Sequence, residues 1–273
     1  MSSFFSRLLA FVGKLVEDIL GRLRPLPIAG MLKGIALSSK AGEIFHKLGE
    51  WLMYLAIEGV IGVGKTTLAR MLQPAFQSEL LLEVFEENPF LSDFYADRQR
   101  YAFQTQIFFL LSRYHQQRRS VPDVLSHGAH LIADYTFEKD ALFAGINLKG
   151  DELDMYDRVH DALAEKIPLP DLIVYLRAST DGLMQRIALR DRSYERNMER
   201  AYIEELNQAY EAFFLGERRG LREQSVPVLP IDTDNLNFVH HTEHLKWVEN
   251  RVRQALKMSP FQAELPIPVE REG

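Results

Sequence analysis

Cysteine is absent from this chain of 273 residues, which excludes thiol catalysis, disulfide scaffolds and thiolate metal sites. Positive charge is also in short supply: 32 Lys and Arg stand against 38 Asp and Glu, a net charge of −6. That balance argues against a surface dedicated to a nucleic-acid polymer, which needs a positive field. No apolar run approaches the roughly 18 residues of a membrane-spanning helix, and no repeat or low-complexity tract occurs. What remains, 47% hydrophobic and 26% charged, is ordinary for a globular protein. The length suits one sizeable α/β domain with an appendage better than two full domains.

The appendage is N-terminal. Phe4, Phe5, Leu8, Leu9, Val12, Leu15, Val16, Ile19, Leu20 and Leu23 recur at helical spacing, with Arg7, Lys14, Glu17, Asp18 and Arg22 between them. This amphipathic helix runs into the linker-like "RLRPLPIAG", and a second amphipathic patch, "GEIFHKLGEWLM", leads into the first strand. The arm is expected to pack on the domain or on a partner helix; binding to a membrane surface is the sharper alternative. Charges interrupt its apolar stretch, so it makes a poor secretory leader, and Glu17 and Asp18 make it a poor mitochondrial presequence. A cytoplasmic location is therefore expected. Met53 is a possible biological start. Residues 1–52 are treated as accessory, 53–258 as the main domain, and 259–273 as a mobile tail.

From Tyr54 onward strand and helix signals alternate. Strands are predicted at "YLAIEG", "LLLEVF", "AHLIADYT", "PDLIVYLRA" and "VPVLPID". Helices are predicted at "KTTLARMLQPAF", "YAFQTQIFFLLSRYHQQRRS", "DELDMYDRVHDALAEK", "TDGLMQRIALRDR", "MERAYIEELNQAYEAFF" and finally through Lys257. Five strands so spaced imply an α/β fold, a parallel sheet covered by helices on both faces.

Between the first strand and first helix, residues 59–66 read GVIGVGKT and satisfy G-x-x-x-x-G-K-[ST] in full. Gly59, Gly62 and Gly64 let backbone N–H groups turn inward around a phosphate, and the helix N-terminus adds partial positive charge. Lys65 is placed to reach β and γ oxygens, Thr66 to ligate Mg²⁺, and Thr67 to complete the donor cradle. No N-K-x-D for reading guanine follows, and "LIVYLRAS" ends its apolar run in Arg177 where a motor ATPase has an acid. A kinase of a small acceptor fits better. In "LMQRIALRDRSYERNMER", Arg186, Arg190, Arg192, Arg196 and Arg200 crowd together in an acidic protein. After a phosphate loop, such a segment is the expected clamp for a transferring phosphoryl group, with Arg190 and Arg192 in that role.

Several linked stretches carry a resemblance to the deoxynucleoside kinase family, its bacterial deoxyadenosine and deoxyguanosine kinases above all. They are "IEGVIGVGKTTLA", "LLEVFEENPFLSDFY", "RYAFQTQIFFLLSRY", "ADYTFEKDALFA", "PDLIVYLRA" and "RDRSYE", and they cover the chain from about Met53 to Ile231. The resemblance implies a P-loop kinase fold, ATP as donor with Mg²⁺, a deoxyribonucleoside as acceptor and a homodimer. It makes Glu83 the general base for the 5′-hydroxyl, with Glu86 as the alternative. Tyr95 and Glu195 then hold the 3′-hydroxyl, and Gln106 reads the base edge, with Gln104 as the neighbouring decoy. Arg113 and Asp140 fall at the far end of the nucleoside pocket, a pair that in relatives accompanies purine deoxynucleosides and deoxycytidine rather than thymidine. The residues agree: seven positions advance a helix by almost two turns, so Gln106 and Arg113 share a face. One departure stands out. Relatives usually carry Glu-Arg-Ser where this chain has Asp134-Tyr135-Thr136. Asp134 can orient Mg²⁺; the arginine's role passes to Lys139 or to a lid arginine.

Two rivals follow from the same residues. A thymidylate-type kinase of nucleoside monophosphates needs a basic acceptor pocket, whereas "LLEVFEENP" is acidic. A non-catalytic nucleotide-binding module would use the arm to engage a partner. His240, His241 and His244 in "VHHTEH" have no evident third partner, so a solvated helix face is expected there and no metal. Because every motif follows Tyr54, a chain beginning at Met53 is expected to be soluble and kinetically near the full-length protein. Loss of nucleoside-dependent turnover without unfolding, judged by circular dichroism, would place the arm in the site.

Overall fold

A computed structural model describes residues 52–84, 88–196, 198–216 and 226–258. The expectations for the N-terminal arm, for Glu86 and for the tail lie outside the described residues. The first strand, β1 (Tyr54–Gly59), is buried at every position. It pairs in parallel with β3 (His130–Ala133) on one side and β4 (Leu172–Arg177) on the other. The edges are β2 (Ser78–Leu81) beside β3 and β5 (Val228–Asp232) beside β4, both parallel, in the order β2-β3-β1-β4-β5. The sheet and its helices are those expected of a P-loop kinase fold.

Side chains of a strand alternate between faces, and β3 shows the consequence. Ile132 enters the larger apolar core, while Leu131 and Ala133 enter a smaller one with Tyr54, Leu81, Val121 and Tyr135. The first core is closed by α1 (Lys65–Phe76), α4 (Lys139–Asn147), α5 (Asp151–Ala164), α6 (Thr180–Arg190), α7 (Arg200–Leu215) and α8 (Thr242–Ala255). Burial on both faces explains why the central strands read as continuous apolar runs rather than alternating ones.

Differences from the sequence expectations lie mainly at element ends. The second strand stops at Leu81, two residues short of Glu83, because the Glu83 N–H is donated to Asp134 Oδ1 at 2.8 Å. Glu83 therefore stands beyond the strand, not at its last position. The third strand likewise stops at Ala133; the Thr136 N–H leaves the ladder for Glu58 Oε1, at 2.6 Å. The long helix α3 (Arg98–Ser126) outruns its predicted span at both ends. Asp97 caps its start by accepting the Arg100 N–H, and the fully buried Val121 anchors its last turns, across Pro122. The short α2 (Leu91–Ala96) and α4 were not expected; six and nine residues offer too few turns for a clear period.

The turn out of β1 permits little change. Gly59 has φ +147°, and a Cβ there would lie 2.4 Å from the Leu176 carbonyl oxygen. Gly59→Ala is expected to destabilise the protein by about 1–3 kcal/mol. Thermal unfolding measures this directly, and an unchanged midpoint would contradict the close approach.

Candidate active site

The carboxyl ends of β1, β2 and β3 open into one cleft, the usual place for a ligand in an open α/β sheet. At its glycine-loop end Gly64, with φ +106°, caps α1 in the left-handed region and lets the chain turn straight into the helix. Lys65 folds back along the loop and donates from Nζ to the Gly59 and Val60 carbonyls at 2.7 and 3.3 Å. Burial, and then repulsion from Lys139, lower its pKa to about 8, against the pull of Glu58, Glu83 and Asp134. A negative charge in the loop would offset that lowering and favour the ammonium further. Beside it the Thr66 hydroxyl donates to Asp134 Oδ2 in a very short bond. A hydroxyl that gives its proton to a carboxylate keeps its lone pairs for a cation.

Glu83 lies between two cations. Its Oε1 accepts from Arg113, through Nε at 3.0 Å and through Nη2, while Oε2 accepts from Lys139 Nζ at 2.6 Å. Burial opposes its ionisation, yet Arg113 and Lys139 outweigh burial and hold the carboxyl well below the usual range. Its segment is fixed from both sides, by Asp134 as described and by Gln116 Nε2, which donates to the Leu82 carbonyl at 2.9 Å. Arg113 also pairs through Nη1 with Asp140, whose side chain is 0% exposed. The guanidinium thus joins two acids rather than one, and Asp140 sits behind Arg113 instead of lining the cleft.

The other end is more apolar. Gln106, 2% exposed, lines it with Phe109, Phe94 and Phe143, and Phe109 lies under the Arg113 guanidinium at 4.5 Å. Gln104 is exposed to solvent, so burial separates the two glutamines. Tyr95 closes the cleft from α2, its ring stacked on that of Tyr194 at 6.1 Å. Tyr194 belongs to a 3₁₀ turn, Ser193–Glu195, that follows α6. Glu195, 4% exposed, accepts two bonds from Arg190 Nη2 at 2.5 and 2.6 Å, and Arg192 lies 3.6 Å from it.

Of the five clustered arginines, Arg190 and Arg192 line the cleft. Arg186 instead donates to Thr233 Oγ1, to the Thr233 carbonyl and to the Val63 carbonyl, tying α6 to the phosphate loop. Arg196 and Arg200 form exposed ion pairs with Asp191 and Asp181. Fewer arginines face the cleft than the sequence cluster suggests, because Thr233, Asp191 and Asp181 hold the other three and the chain leaves α6 after Arg190.

The fold therefore gathers Gly62, Lys65, Thr66, Glu83, Tyr95, Gln106, Arg113, Asp134, Arg190, Arg192 and Glu195 around one cavity. Gly59, Gly64, Thr67 and Asp140 are not among its lining. Gly59 is occupied with Glu58 and Lys65, and Thr67 faces solvent. Sequence reasoning missed Glu58, fully buried, which accepts from the Thr136 and Gly59 N–H groups and the Thr136 hydroxyl. Burial pushes its carboxyl up, and Lys139 and Lys65 pull it back. An acid directly before the glycine loop was the available signal. Phe109, Tyr194 and Tyr202 were also missed; Phe109 was legible from its three-residue spacing to Gln106. His240 and His241 precede α8 rather than lying on it. His244 Nδ1 accepts the Asn237 N–H at 3.0 Å, which makes it a local cap.

The deoxynucleoside kinase family model matches residues 55–257. A deoxyguanosine kinase of Bacillus subtilis (strain 168) is 34% identical over 203 residues, 74% of this chain and 97% of that protein. A deoxyadenosine kinase of Dictyostelium discoideum is 34% identical over 188 residues, 67% of this chain and 75% of that protein. Among solved structures, a deoxyadenosine kinase from M. mycoides with bound dCTP superposes with a TM-score of 0.61 at 26% identity. It is matched over 74% of this chain and 100% of its own. Gln106→Ala is expected to raise the nucleoside KM about tenfold or more, since a buried amide that reads a polar edge discriminates strongly. Gln104→Ala should change it less than about twofold, as an exposed surface position. Equal effects in steady-state kinetics would contradict the assignment by burial.

Proposed function

The chain belongs to the deoxynucleoside kinase family and is an enzyme of that class, and from this premise we propose that it phosphorylates purine deoxynucleosides at the 5′-hydroxyl with ATP. The observation that carries the reading is a single cleft in which Lys65 at one end and Gln106 at the other flank the Glu83 carboxylate. The 5′-oxygen attacks the γ-phosphorus, the bond to the β,γ-bridging oxygen breaks, ADP leaves, and the hydroxyl proton passes to Glu83. A carboxylate held as acidic as Glu83 is a weak base. In a loose transition state that suffices, because the hydroxyl becomes acidic only as its bond to phosphorus forms. Lys65 neutralises the β and γ oxygens, and Arg190 and Arg192 swing from Glu195 toward the transferring group. Tyr95 and Glu195 hold the 3′-hydroxyl. Arg190 and the 3′-hydroxyl then compete for one acid, so an acceptor in place releases the arginine and ties closure to its binding.

The cation that accompanies ATP fits the donor end. Among the described residues no cluster of three His, Cys, Asp or Glu forms a cage, and Mg²⁺ bound with phosphates needs only one or two protein oxygens. Thr66 and Asp134, side by side at the loop, would supply them. When bound, Mg²⁺ offsets charge on the β and γ oxygens. By the same reading residues 53–258 are the catalytic domain, residues 1–52 are accessory, and the enzyme is a cytoplasmic homodimer in nucleotide salvage.

Base preference follows from Arg113 over Asp140. Arg113, held from behind by Asp140, presents a charged donor at the cleft wall, and the 5-methyl of thymine gains nothing against buried charge. The deoxyguanosine and deoxyadenosine kinases among the relatives support a purine. With radiolabelled ATP and four deoxynucleosides, deoxyguanosine or deoxyadenosine should be turned over best, deoxycytidine next and thymidine worst. Replacing Arg113 with Met and Asp140 with Ala together should relax the discrimination against thymidine by about tenfold or more. A native chain fastest on thymidine would overturn the placement of the base.

A further inference from the structure

Lys139 breaks two local rules. It is the first residue of α4, where the helix dipole disfavours a cation, and at 4% exposure it is buried. Such conflicts are expected where function demands them. Its ammonium donates to Glu83 Oε2 at 2.6 Å and lies 5.6 Å from the centre of the Tyr135 ring. It also lines the cleft.

The neighbouring cations are otherwise engaged. Arg113 divides its guanidinium between Glu83 and Asp140. Arg190 is bidentate on Glu195, Arg186 is tied to Thr233, and Arg196 and Arg200 pair with surface acids. Residue 135 cannot serve: Tyr135 is uncharged, fully buried in the smaller core, and its hydroxyl is given to Gln116 Oε1 at 2.5 Å. Lys139 also lies close enough to Lys65 and Glu58 to bias both. It therefore stands between the acceptor-side acid and the phosphate loop.

We infer that Lys139 is a positioning residue for phosphoryl transfer, clamping one oxygen of Glu83 so that the carboxylate meets the 5′-hydroxyl in line with the donor. The inference rests on Glu83 being the base. It assigns to a helix N-terminus on the far side of the loop the role that the residue after Asp134 cannot fill. A compact ammonium on a flexible stem suits this position, since one donor grips the carboxylate without the flat fork of a guanidinium.

The test is a double-mutant cycle on full-length protein, with ATP and whichever of the four deoxynucleosides is turned over fastest. Lys139→Met should lower kcat about 10²-fold and change the nucleoside KM less than about threefold, with Lys139→Arg recovering part of the loss. On a Glu83→Gln background, Lys139→Met should cost less than about threefold, because the residue acts through Glu83. An equal Lys139→Met penalty on both backgrounds would show a merely structural lysine and overturn the inference while leaving Glu83 as base. Glu83→Gln as active as the native chain would overturn the Glu83 assignment itself, and this inference with it. Circular dichroism reports folding; should the methionine variant unfold, Lys139→Gln carries the same cycle.

Discussion

Glu83 is gripped by Arg113 on one oxygen and Lys139 on the other, and much of the cleft is arranged to make that possible. A carboxylate drawn out of water is costly unless opposite charge and hydrogen bonds replace the solvent. Each cation brought to Glu83 needs a second anion of its own. Asp140 stands behind Arg113, and Glu58 lies within the field of Lys139 and Lys65. The acids and bases of the cleft form a connected set, and removing one member leaves its neighbour a buried, unmatched charge. Breaking a buried pair of this kind typically costs about 3–5 kcal/mol.

The sheet determines where these charges meet. Glu58 is near the end of β1, Glu83 follows β2 and Asp134 follows β3, so three neighbouring parallel strands deliver three acids to one edge. Asp134 keeps a last ladder bond, its N–H donating to the Leu81 carbonyl, while its carboxylate serves Glu83 and Thr66; Thr136 leaves the ladder for Glu58. The end of regular structure and the start of the site are the same event. Across the cleft, Arg190 and Glu195 lock the turn after α6, and Tyr194 stacks on Tyr95. One residue of that turn therefore touches α2 directly, which links the positions of the two.

Much of this was legible in the residues. Phosphate loops are local: strand, glycines, lysine and helix follow one another within a few residues, and each needs only its neighbours to take its shape. Gln106 and Arg113 were legible as a pair because a helix has a fixed period. Burial had to separate Gln106 from Gln104, since a two-residue offset on a helix means opposite sides and composition alone does not say which side is inside. The arginine-rich segment shows the limit of counting. Five cations close in sequence were divided by the end of α6 and by Thr233, Asp191 and Asp181 into two that face the cleft and three that do not.

Taken alone, the sequence determined the class of fold, the donor loop and the polar face of the long helix, because these depend on period and on contacts within a few residues. The tertiary structure alone decided which charges meet. Glu83 and Lys139 are 56 positions apart, and Glu58 and Thr136 are 78 apart. No local pattern marks such pairs. They become partners because parallel strands need long crossovers, and the crossovers return chemically matched residues to the same edge of the sheet.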